Sequence, residues 1–155
     1  MKNSYKVLRS DSQKLISAIN NPQENTCKEE MDFLYKIILH NSDSVDFDIT
    51  DVMTILGEAK NTLLINIYKS ETKNVEKLLH TIIMSEIIDY NLQSKFKGVL
   101  VCFKINSNFS IPHLSGVINM VNNNLHEDAV FIFGTKNDIS IAINEIEIMI
   151  IISYM

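Results

Sequence analysis

Apolar positions along this 155-residue chain change period several times, and each change predicts an element. Tyr5 to Arg9 alternates weakly and predicts a short strand. Ser10 or Asp11 then offers an N-cap to a short helix carrying Leu15, Ile16 and Ile19 on one side. Asn21 and Pro22 suit the cap and first residue of a new helix, where proline's missing N–H costs nothing. From Met31, the spacing of Leu34, Tyr35 and Ile38, flanked by Phe33 and Ile37, predicts an amphipathic helix ending near Asn41. An acidic connector, Ser42 to Asp48, leads into a helix over Ile49 to Leu56, with Ile49, Val52, Met53 and Leu56 at i, i+3, i+4 and i+7. Gly57 is placed to close it.

Beyond Gly57 the pattern alternates between strand and helix. Thr62 to Tyr68 is rich in β-branched residues and predicts a strand. Asn74 to Asp89 predicts a helix with Val75, Leu78, Leu79, Ile82, Ile83 and Ile87 in a broad stripe. Lys97 to Ile105 predicts a strand, Ser110 to Leu125 a helix with Pro112 in its first turn, and Ala129 to Phe133 a short buried strand. Ile139 to Ile143 is ambiguous, and Glu145 to Tyr154 predicts a long last strand joined to its predecessor as a hairpin. Strand–helix alternation needs crossovers that pack helices on a sheet with some parallel pairing. The expected class is α+β: a mixed sheet of about four strands with helices packed on it, preceded by a helical N-terminal segment.

Composition narrows the function classes. Gly57, Gly98, Gly116 and Gly134 are the only glycines, and they lie far apart. No glycine-rich phosphate loop or dinucleotide fingerprint can be written from them. Nineteen Asp plus Glu against 14 Lys plus Arg leave a net charge of −5 and no basic stripe for nucleic acid. Cys27 and Cys102 are far apart and lack metal-ligand spacing, which suits two reduced thiols. The most apolar stretch, Ile146 to Met155, is interrupted by Glu147 and falls far short of the ~20 residues of a membrane helix. With no signal peptide at the start, the sequence reads as cytoplasmic, with neither nucleic acid nor membrane as partner.

His40, His80, His113 and His126 share no metal-ligand spacing, and no serine sits in a nucleophile elbow. The methionines fall mainly on apolar faces and read as core filler. One constellation stands out: Asp46, Asp48 and Asp51, with Asp43 upstream, crowd the start of the helix at Ile49. Helix capping explains Asp48 and Asp51. Closely set carboxylates at an exposed helix start can also orient a water or hold a divalent cation. Lacking a phosphate loop on the same chain, they act on a phosphate only if another molecule brings it.

Three segments resemble the C-terminal half of FtsZ, the bacterial relative of tubulin. Val45 to Ala59 (VDFDITDVMTILGEA) is similar to the family's synergy loop and following helix, roughly N-V-D-F-A-D-V-R-T-V-M. Lys97 to Val101 (KGVLV) is similar to R-G-V-L-V, and Ala129 to Asp138 (AVFIFGTKND) to A-T-V-V-I-G-T-x-x-D. Order and spacing hold from about Asp32 to Tyr154. The resemblance implies residues 1–41 as a segment like the end of the GTPase domain and the central helix, and 42–155 as the C-terminal α+β domain.

In that family, subunits stack head to tail, and the synergy-loop carboxylates polarise the water that attacks the γ-phosphate of a neighbour's GTP. The resemblance maps Asp48 and Asp51 onto the two loop aspartates. Asp46 replaces the family's Asn, adding a like charge beside an anionic nucleotide. Ile49 and Thr50 replace Phe and Ala. The GTP-binding signature is missing. The resemblance therefore implies a non-enzymatic module that binds no cofactor or metal itself, meets GTP only on a partner subunit, and docks on an FtsZ-type filament through Asp46, Phe47, Asp48 and Asp51. It would cap or modulate assembly in cell division. Alternatives are a trans-activator using Asp48 and Asp51, a stand-alone homo-oligomerising or small-ligand module, and a fragment of a larger FtsZ.

Overall fold

Long apolar runs bury both of their faces only in the middle of a layered structure, and here they form a central sheet. The computed structural model describes residues 5–23, 27–38, 47–57, 59–82, 85, 96–108, 114–123, 125 and 128–155. In chain order the elements are β1 (Tyr5–Asp11), α1 (Ser12–Asn20), α2 (Lys28–Ile38), α3 (Ile49–Leu56), β2 (Asn61–Glu71), α4 (Thr72–Ile82), β3 (Phe96–Ile105), α5 (Ser115–Asn123), β4 (Val130–Asn137) and β5 (Glu145–Tyr154). The fold is α+β, with a mixed five-stranded sheet in the order β1-β2-β5-β3-β4. Among the described residues, only β3 and β4 pair in parallel.

Alternate residues of each strand feed two cores. Leu63, Ile65 and Ile67 of β2, Val99, Val101 and Phe103 of β3, and Ile148 and Ile150 of β5 meet α4 and α5 on one face. Leu64, Leu100, Cys102, Met149 and Ile151 meet α1, α2 and α3 on the other. The result is three layers, with α3 on the side opposite α4 and α5.

The sheet departs from the sequence expectation in three places. β1 adds an outer strand through its pairing with β2, so five strands replace about four. The expected β4–β5 hairpin is absent: β5 runs between β2 and β3, antiparallel to both. Its residues from Ile148 to Ile152 are buried without alternation, which only a central strand covered on both faces allows. The α5 crossover leaves β4 parallel to β3 at the sheet's edge. Ile139 to Ile143 forms turns, with Ile139 almost fully exposed.

Two local readings also change. Asn21 closes α1 instead of opening a helix: its N–H donates to Ser17 O at 2.9 Å, and Pro22 sits in a turn before α2 begins at Lys28. On α2, the buried stripe is Met31, Phe33, Leu34 and Ile37, and Tyr35 turns outward. The expected helix ends near Asn41 and Asp89, and Pro112, lie outside the described residues.

Candidate functional site

Asp48 and Asp51 bind one another's backbone at the head of α3. Asp48 is extended (φ −112°, ψ 176°), and its Oδ1 accepts from the Asp51 N–H at 3.0 Å. In return the Asp48 N–H donates to Asp51 Oδ2 at 3.0 Å. This reciprocal capping box satisfies two backbone donors at the helix start, and such a cap contributes about 1 kcal/mol. Both charges also face the positive end of the helix dipole. Gly57, at φ +43°, ends the helix, its N–H donating to Met53 O at 2.8 Å. That left-handed conformation is one that residues with a Cβ rarely adopt.

The cap is held in place by how α3 sits on the sheet. Val52, Ile55 and Leu56 are buried beneath it, so the apolar stripe includes Ile55 while Ile49 is largely outside. Two strand glycines make this approach possible. A Cβ at Gly98 of β3 would stand 3.1 Å from Ile55 Cδ1 and 3.2 Å from its carbonyl oxygen. A Cβ at Gly134 of β4 would stand 3.1 Å from Phe47 Cζ. Ser153 of β5 completes the seat: its buried hydroxyl donates to Ile55 O at 2.5 Å, satisfying a carbonyl in the last turn of α3.

The four residues assigned to a partner face therefore occupy different environments. Asp48 is exposed and Asp51 half-buried, each with one carboxylate oxygen held by the capping box. The other oxygen of each has no hydrogen bond among the described residues. Phe47 is only 4% exposed and is turned into the core beneath the cap, where it anchors the loop. Asp46 and Asp43 lie outside the described residues. Sequence reasoning missed Gly98, Gly134 and Ser153, although a glycine inside an apolar strand is itself a signal of close approach.

The other candidate residues stand apart from this helix head. His80 is exposed in the last turn of α4, whereas His40, His113 and His126 lie outside the described residues. Among the described residues no three His, Cys, Asp or Glu side chains come together as metal ligands. Cys27 is half-buried and Cys102 buried, both as free thiols. No described helix is long and apolar enough to cross a membrane.

No protein-family model matches the sequence, and no curated protein matches it. Among solved structures, the chain is similar to an FtsZ dimer, empty, from M. jannaschii, with a TM-score of 0.58 at 17% identity. That alignment covers 92% of this chain and 43% of the FtsZ chain. It is also similar to an FtsZ W319Y mutant, P1, from M. jannaschii, with a TM-score of 0.61 at 14% identity over 90% of this chain and 40% of that one. At such identities the likeness is one of fold. The fold is that of the FtsZ C-terminal domain, and the chain spans less than half the length of the FtsZ chains it matches.

Proposed function

We propose that this protein docks on an FtsZ-type subunit through the head of α3 and modulates filament assembly. The observation that carries this reading is the Asp48–Asp51 capping box, with Asp48 exposed and Asp51 half-buried, set at the start of the helix that follows the synergy-loop-like sequence. One oxygen of each carboxylate fixes the cap, and on this reading the other, which has no hydrogen bond among the described residues, meets the partner. The glycine and Ser153 seat keeps the pair in a constant orientation, which lowers the ordering cost of association.

These residues hold no glycine-rich phosphate loop, and on this reading they meet a nucleotide only on the partner subunit. On this reading the protein acts in the cytoplasm during cell division and caps a filament end. It contributes no catalysis alone. A second reading rests on the same two carboxylates: Asp48 and Asp51 complete a partner's water-polarising site and raise its GTP turnover.

Co-sedimentation with the host's FtsZ and GTP tests the docking. The protein should pellet with polymer at a small fraction of the FtsZ concentration, and Asp48→Asn with Asp51→Asn should release it. Equal recovery with and without FtsZ, or retention of the double variant, counts against the reading.

A further inference from the structure

The two outer strands of the sheet show different residues to solvent. β1 exposes Lys6, Arg9 and Asp11, charges that keep an edge from pairing with another chain. β4 exposes Val130 and Phe133, and no charge stands between Asp128 and Lys136. Val130 shares the α3 face of the sheet with Ile132, and Phe133 shares the α4–α5 face with Phe131. With Val130 42% and Phe133 49% exposed, neither helix layer overhangs this edge.

The backbone of β4 is also in phase for pairing. Asp138 N–H donates to Ile105 O at 2.8 Å, in line with the unbroken β3–β4 register. Alternate residues of a parallel strand turn their N–H and C=O to the same neighbour. Val130, Ile132, Gly134 and Lys136 therefore face β3, and Phe131, Phe133 and Thr135 face outward. Among the described residues no strand lies beyond them.

We propose that β4 pairs antiparallel with β4 of a second copy of this chain, about a two-fold axis at Ile132, so that the two sheets become one. The sequence of the strand selects both the occupant and the register. Phe131 falls opposite the second copy's Phe133, and Phe133 opposite its Phe131. All four turn their backbone groups to the seam, so each pair exchanges two hydrogen bonds. The two rings, 5.4 Å apart and tilted by 40° within one copy, become a cluster of four on the α4–α5 face. At each end Asp128 stands opposite the buried Lys136 of the other copy, unlike in charge. Slipping the register by two residues one way sets Asp128 against Asp138, a like-charge pair. Slipping it the other way sets Phe133 against Ala129 and breaks both aromatic pairs.

This pairing needs the chain alone, so it is tested without FtsZ and stands or falls apart from the docking at α3. In sedimentation equilibrium the mean mass of the full chain should rise with concentration from one copy toward two. Phe133→Lys and Val130→Lys replace exposed side chains, and circular dichroism should show both folded. Because a two-fold seam takes each change twice, each should weaken the dimer by about ten-fold or more. Disulfide trapping in a Cys27→Ser background reads the register. Ile132→Cys sets two thiols across a non-hydrogen-bonded pair on the axis, where Cα atoms about 4.5 Å apart suit a disulfide, and diamide should link them. Val130→Cys stands two residues off the axis and should stay unlinked. A single-copy mass at every concentration, a dimer unaffected by either folded lysine variant, or linkage of Val130→Cys in preference to Ile132→Cys would overturn the proposal.

Discussion

Phe47 lies on the bare backbone of Gly134, where even a methyl group would stand 3.1 Å from its ring. A core aromatic thus sits one residue before the Asp48 cap, and the edge strand β4 supports it. Gly134→Ala sets two effects against each other. Removing a strand glycine gains roughly 0.5–1 kcal/mol from backbone entropy. Overpacking against a buried ring costs about 1–3 kcal/mol and should win. Urea unfolding should show net destabilisation, relieved by the double change Gly134→Ala with Phe47→Leu.

The carboxylates at the head of α3 do two things that substitution can separate. Asparagine caps helices about as well as aspartate, whereas alanine loses the cap at a cost of about 0.5–2 kcal/mol. Asp48→Asn should keep the melting temperature close to that of the parent and weaken FtsZ docking. Asp48→Ala should lower both.

Ser153→Ala removes the hydroxyl that satisfies Ile55 O. Because both groups are buried, the lost donor should destabilise by about 1–3 kcal/mol. Thermal unfolding measures this directly, and Ser153→Thr should recover part of it by restoring a donor.

The cysteines should differ in chemistry. Burial pushes the Cys102 thiol up from 9.0 to about 12. A thiol protonated in the folded state beyond its unfolded value gives stability that is complete below pH 9. That stability falls by about 1.4 kcal/mol per pH unit as pH rises from 9 toward 12. Denaturant melts at pH 8 and 10 should therefore show a larger loss for the parent than for Cys102→Val. In the native state a thiol reagent should modify half-buried Cys27 first and reach Cys102 only on unfolding.

Elements with one strong period were legible from sequence. The α3 limits follow from Asp48, its apolar spacing and Gly57, and β3 from its unbroken apolar run. Topology was harder to read. The length and burial of β5 suit a central strand, but a short link to β4 suggested a hairpin, and only the pairing with β2 and β3 decides between them. Asn21-Pro22 carried a sound helix-start signal, yet the N–H bond to Ser17 used it to end α1. At the site, Asp48 and Asp51 were visible through local spacing. Their support was not, because Gly98, Gly134 and Ser153 reach α3 from strands distant in sequence.

The most direct test of the docking account is a titration of this protein into the host's FtsZ with GTP, following light scattering and phosphate release together. A filament cap should suppress polymer at substoichiometric ratios, lower turnover in step, and lose its effect in the Asp48→Asn, Asp51→Asn double variant. Unchanged scattering and turnover at equimolar protein would contradict it.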